Sequence, residues 1–133
     1  MNTSSNYQQQ AMDFLNKVNA TVLISFHSYG KHFADDKQER NIYLVTIKRN
    51  GKKFTFKFGD SINNTEKGHI PCEYDVLCCL TKQDFADFTD FCESFGYDED
   101  SIKALNTFKA VQREFKGVER VFGDVLEQLQ EIN

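Results

Sequence analysis

The chain has 133 residues, a net charge of −4 at pH 7 and a single proline. That length is typical of one domain, and its 13 phenylalanines can fill a substantial core. No apolar run approaches the roughly 20 residues that cross a bilayer, and the N-terminus lacks a signal-peptide pattern. We therefore expect one cytoplasmic domain over residues 1–133, frayed over 1–7, with no membrane contact.

The N-terminal half alternates between apolar and polar residues in a way that favours strands. An apolar stripe predicts a short helix over Gln8–Val18, and β-branched and aromatic residues predict a strand over Thr21–Tyr29. Residues 42–59 predict a hairpin, because Asn50-Gly51 supplies the two positive-φ positions of a type I′ turn. Together these segments predict a three-stranded antiparallel meander.

The C-terminal half changes to helical periodicity. Thr81 is a good N-cap for a helix that begins at Lys82, carries a core-facing stripe ending in Phe95, and ends at Gly96. A second helix is then predicted to follow an Asp98 cap.

Further apolar spacing extends this helical block. Tyr97 is placed to pack on Ile102 at the start of the second helix, and Gly117 is expected to bend or break it. Asp124 with Glu127 three residues later predicts a capped terminal helix. Strands followed by about three helices indicate an α+β domain, with the helices on one face of the sheet.

Three strings in residues 40–133 carry a resemblance to a known family: FTFKFGDSI, YDVLCCLTK and DFCESFGYDEDSIKA. They resemble a family of small proteins encoded by tailed bacteriophages and prophages. The resemblance implies a location in the cytoplasm of a bacterial host cell. It does not indicate a particular activity.

Five residues are the conceivable ligands of a metal ion: His69, Cys72, Cys78, Cys79 and Cys92. Their spacing lacks the paired CxxC or HxxxH pattern of structural zinc, so core thiols without a metal are the favoured interpretation. A zinc site and a cysteine nucleophile are the alternatives. Because no common nucleotide-binding or hydrolase signature is present, we predict no catalytic residue, no cofactor and no enzymatic activity.

A basic cluster surrounds the tip of the predicted hairpin. It consists of Lys48, Arg49, Lys52 and Lys53, and Lys57 lies on the same strand face as Lys53. The phenylalanines between these lysines take the opposite face. The cluster could contact the phosphates of nucleic acid, contact a protein, or only protect a solvated sheet edge.

An acidic row provides a second candidate surface. Asp84, Asp87, Asp90 and Glu93 recur every third residue and are predicted to form the outward face of the first C-terminal helix. Such a row is either solvated or meets a basic protein surface. The leading hypothesis is therefore a non-enzymatic protein that binds a host protein stoichiometrically. Such a protein could be an inhibitor of a defence nuclease. The alternative is a nucleic-acid-binding accessory protein that uses the hairpin.

Overall fold

A three-stranded antiparallel sheet and the helices packed on it make up the fold, which confirms the α+β prediction. The computed structural model describes residues 3–32, 38–59, 71–80 and 85–130. The strands, in spatial order, are β1 (Ala20–Gly30), β2 (Arg40–Arg49) and β3 (Lys52–Gly59). The helices are α1 (Thr3–Lys17), α2 (Glu73–Leu80), α3 (Phe88–Phe95), α4 (Ile102–Phe122) and α5 (Leu126–Gln130).

The β2–β3 hairpin has the predicted turn. Asn50 has φ 51° and Gly51 has φ 81°, which are the two left-handed positions that a type I′ turn requires. This turn sets the register, so that Lys48 lies opposite Lys53 and Arg49 lies opposite Lys52. The predicted hairpin is therefore confirmed.

The two faces of the sheet differ sharply in polarity. Along β3, Phe56 and Phe58 are buried on the inner face, whereas Lys53, Thr55 and Lys57 are exposed on the outer face. The inner faces of the other strands extend the same core. Because side chains alternate along a strand, the predicted separation of lysines from phenylalanines is confirmed.

Helices α1 and α4 cover the inner face. The helix α1 buries Ala11, Phe14 and Leu15 in the same apolar cluster as Val45 and Ile47 of β2. The helix α2 packs against α1 and adds its own apolar residues to this main core. No bounds had been predicted for α2.

The predicted break at Gly117 is wrong, because α4 continues without interruption from Ile102 to Phe122. Close packing of the helix on the sheet explains the glycine instead. A Cβ atom at Gly117 would lie 2.4 Å from ring carbons of Phe54 in β3. Glycine at this position lets the helix approach the strand and does not interrupt the helix.

The predicted start of the first C-terminal helix is also wrong. Thr81 and the three residues after it lie outside the described residues, but residues 85–87 are not helical and α3 begins at Phe88. Asp87 is the N-cap, and its carboxylate accepts a hydrogen bond of 2.8 Å from the amide of Asp90. Gly96, with φ 73°, ends the helix as predicted, and its amide bonds to the carbonyl of Cys92.

Ser101, and not Asp98, caps the helix α4. The hydroxyl of Ser101 accepts a hydrogen bond of 3.1 Å from the amide of Ala104. Asp98 instead accepts a hydrogen bond from the amide of Asp100 and stabilises the turn before the helix. Ile102, predicted to pack under Tyr97, is 75% exposed. Both expectations are therefore corrected.

Among the described residues, no helix combines the length and the apolar character that crossing a membrane demands.

Candidate functional site

Arg49, one of the five predicted nucleic-acid contacts, holds the hairpin to the rest of the molecule. Its side chain is only 11% exposed. It donates hydrogen bonds to the carbonyls of Val18 at 3.0 Å and Val121 at 3.4 Å. It also forms a two-pronged ion pair with Asp124, in which Nη2 lies 3.0 Å from Oδ2.

This ion pair has two consequences. The hydrogen bonds from Arg49 hold the pKa of Asp124 below its usual value, and Asp124 in turn raises the pKa of Arg49. Asp124 was predicted to cap the terminal helix, but it lies in a 3₁₀ turn over Gly123–Val125 and its carboxylate bonds to the hairpin. Arg49 thus positions the hairpin tip.

A hollow of about 340 Å³ lies at this tip. Its charged lining is mostly lysine, and its polar lining includes the α1–β1 turn, which the sequence did not associate with the hairpin. Asn19 in that turn donates a hydrogen bond of 3.2 Å to the side chain of Asn50. The lining residues are Asn19, Thr21, Lys48, Arg49, Asn50, Gly51, Lys52 and Lys53.

The basic residues of the hollow face one another across the hairpin. Lys48 and Lys53 are exposed partners in register on the outer face, and Arg49 and Lys52 are the next pair. Like charges directly opposite each other destabilise a sheet. In the described part of the chain, Lys48 and Lys53 form no ion pair that would offset this repulsion.

The acidic row is only partly available to a partner. Asp84 lies outside the described residues. Asp87 caps α3, and Asp90 accepts a hydrogen bond of 3.0 Å from the amide of Ala86, so these two carboxylates stabilise the start of the helix. Glu93 is exposed further along the helix.

An aromatic cluster lies behind this helix and is separate from the main core. Phe91 is buried, with its ring 5.3 Å from that of Phe108 in α4 and 5.5 Å from that of Tyr97. Phe85 and Phe95 extend the cluster, with rings 5.6 Å apart. The cluster joins α3 to the first half of α4.

Two large apolar side chains remain exposed where α3 and α4 meet. Phe95 ends the aromatic stripe of α3 and is 58% exposed, and Ile102 begins α4 and is 75% exposed. Phe95 had been predicted to belong to a core-facing stripe and Ile102 to pack with Tyr97, and their exposure depends on tertiary structure that local spacing does not show. Exposed carboxylates lie in the same segment, on Glu93, Asp98, Glu99 and Asp100. We call the two apolar residues and these four acidic residues the α3–α4 corner.

The four cysteines are free thiols. Cys92 is packed in the aromatic cluster, and burial raises the pKa of its thiol. A hydrogen bond with Cys78 raises the pKa of Tyr74 to about 12. Within 3–32, 38–59, 71–80 and 85–130, no three His, Cys, Asp or Glu side chains are grouped to hold a metal ion. His69 lies outside those ranges.

Comparison with protein-family models, with curated protein sequences and with solved structures finds no match to this chain.

Proposed function

We propose that this protein is a non-enzymatic binding protein that occupies a basic surface of a host protein through its α3–α4 corner. The observation that carries the proposal is the exposure of Phe95 and Ile102 in a segment that also exposes the carboxylates of Glu93, Asp98, Glu99 and Asp100. Protein interfaces are typically built from aromatic or aliphatic anchors surrounded by a polar rim. This arrangement supports protein contact better than a solvated helix face, which needs no exposed anchor.

The charge of the corner supports a basic partner. Glu93, Glu99 and Asp100 are exposed, and residues 71–133 contain fourteen acidic against six basic residues. A surface that ordinarily binds nucleic acid offers the complementary positive charge, and steering between opposite charges speeds association. We therefore favour a nucleic-acid-binding surface of a host protein, such as that of a defence nuclease, as the target.

The first test removes the apolar anchors. Phe95→Ser combined with Ile102→Ser should abolish capture of the partner from host lysate, and nuclease treatment should leave capture by the parent unchanged. Leu23→Ser is the matched control, because Leu23 is 56% exposed on β1, away from the corner. The captured protein is then purified and titrated calorimetrically, with a stoichiometry of one to one expected.

The second test addresses the exposed carboxylates of the corner. Glu93→Lys with Glu99→Lys should weaken binding of the purified partner, because like charges then meet across the interface. Glu119→Lys with Glu127→Lys changes the net charge equally at exposed positions elsewhere. Equal loss in both variants, or capture that survives loss of the anchors, would refute the proposed corner.

A further inference from the structure

We propose that the hollow at the hairpin tip and the outer face of the sheet form a second binding site, for the phosphate backbone of nucleic acid. The site is distinct from the α3–α4 corner and does not depend on the protein partner. Its charged groups are Lys48, Lys52 and Lys53 in the hollow and Lys57 further along β3.

The sheet carries charge of one sign only. The strands β1, β2 and β3 contain six lysines and arginines and no aspartate or glutamate. On the outer face, Lys48, Lys53 and Lys57 are exposed. The negative net charge of the chain therefore comes from other segments, and the outer face keeps a local positive potential.

The hollow provides fixed geometry for an anion. Arg49 holds β2 to Val18 and Asp124, and Arg120 donates a hydrogen bond of 2.7 Å to the carbonyl of Lys53. These contacts hold the backbone under the lysines in place. Asp124 also interacts electrostatically with Lys52, but its negative charge is compensated by the ion pair with Arg49. An anion between Lys48 and Lys53 would relieve their mutual repulsion.

The extent of the lysine row favours a polymer over a single phosphate. Lys53 and Lys57 lie four residues apart on one face, which corresponds to about 13 Å along a strand. A single inorganic phosphate cannot contact both ends, whereas successive phosphates of a nucleic acid strand can. The lining of the hollow contains no aromatic ring on which a base could stack. Binding should therefore be independent of sequence.

Fluorescence anisotropy with a labelled oligonucleotide of mixed sequence, as single strand and as duplex, tests the site. We expect binding at about 50 mM salt, and a slope of log affinity against log salt near −3 on duplex, since about three phosphates are contacted. Lys48→Gln with Lys53→Gln should lower affinity at least about tenfold and reduce the slope by about two. The corner variant Phe95→Ser should bind as the parent does.

Matched controls decide between this site and diffuse attraction. Lys103→Gln with Lys109→Gln removes the same charge from exposed positions in the first half of α4, and should leave affinity within about twofold. Equal losses in the two double variants would overturn the proposal, as would no binding at low salt. Displacement of the oligonucleotide by inorganic phosphate at equal ionic strength would assign a small-anion site and overturn the polymer site.

Discussion

Gly117 in α4 lies directly against the ring of Phe54 in β3, with space for a hydrogen atom but not for a methyl group. This contact brings the longest helix onto the edge strand of the sheet. Since α4 also carries Phe108 and Val111 of the aromatic cluster, the approach at Gly117 links the α3–α4 corner to the main core.

We expect Gly117→Ala to destabilise the protein by about 1–3 kcal/mol, because the added methyl group overpacks the contact with Phe54. Alanine would otherwise favour the helix by up to about 1 kcal/mol. Urea denaturation measures the change. Gly123→Ala is the matched control, since its Cβ would meet no atom closer than 3.9 Å and should be tolerated. A stabilising Gly117→Ala would show that the helix can move away from the strand.

Local sequence patterns were sufficient to predict the hairpin but not the tertiary contacts that hold it in place. Asn50-Gly51 determines its own turn, so the sequence predicted both the hairpin and its faces. The residues around Asp124, by contrast, predict a helix cap. Its ion pair with Arg49 joins residues 75 positions apart, which a local pattern does not indicate. Gly117 likewise reads as a helix break until Phe54 is placed against it.

The same distinction applies to the candidate sites. The basic cluster was predicted from neighbouring residues, but the contribution of Asn19 to the hollow comes from another turn. The exposure of Phe95 was not predictable, because helical spacing shows which residues share a stripe and not where the opposing helix ends. Tertiary placement determines which part of a stripe is covered.

The Arg49–Asp124 ion pair predicts a specific loss of stability in acid. The folded-state pKa of Asp124 is lowered, so the contribution of its carboxylate is complete above the unfolded value of about 3.9. It is lost as the pH falls through the lowered folded value. We expect Asp124→Asn to be less stable than the parent at neutral pH, with the difference narrowing in strong acid.

Denaturant midpoints measured across the acid range check this expectation. Asp100→Asn, at an exposed carboxylate in the α3–α4 corner, is the control and should follow the parent curve more closely. A gap between Asp124→Asn and the parent that stays constant down to the lowest pH would contradict a charge-based role for the ion pair.

The capping role of Asp87 makes it more important for stability than Glu93, another member of the acidic row. Asp87→Ala removes the acceptor for the amide of Asp90 and should cost about 0.5–2 kcal/mol. Asp87→Asn should retain most of that stability, because asparagine is also a good N-cap. Glu93→Ala changes an exposed side chain and should stay within about 0.5 kcal/mol. Thermal unfolding separates the three variants, and equal effects of Asp87→Ala and Glu93→Ala would contradict the cap.

The facing lysines of the hairpin predict that stability can be gained at the hollow. Lys53→Glu places a carboxylate directly opposite Lys48 and replaces repulsion by attraction, which should stabilise the hairpin by about 0.2–1 kcal/mol. Lys57→Glu is the matched control, because Lys57 faces Leu44 and the same charge change there gains no partner. Urea denaturation compares the two variants. If Lys53→Glu is more stable than the parent but binds the oligonucleotide more weakly, the lysine pair serves binding and not folding. If Lys53→Glu is less stable than the parent, the two lysines are not held face to face.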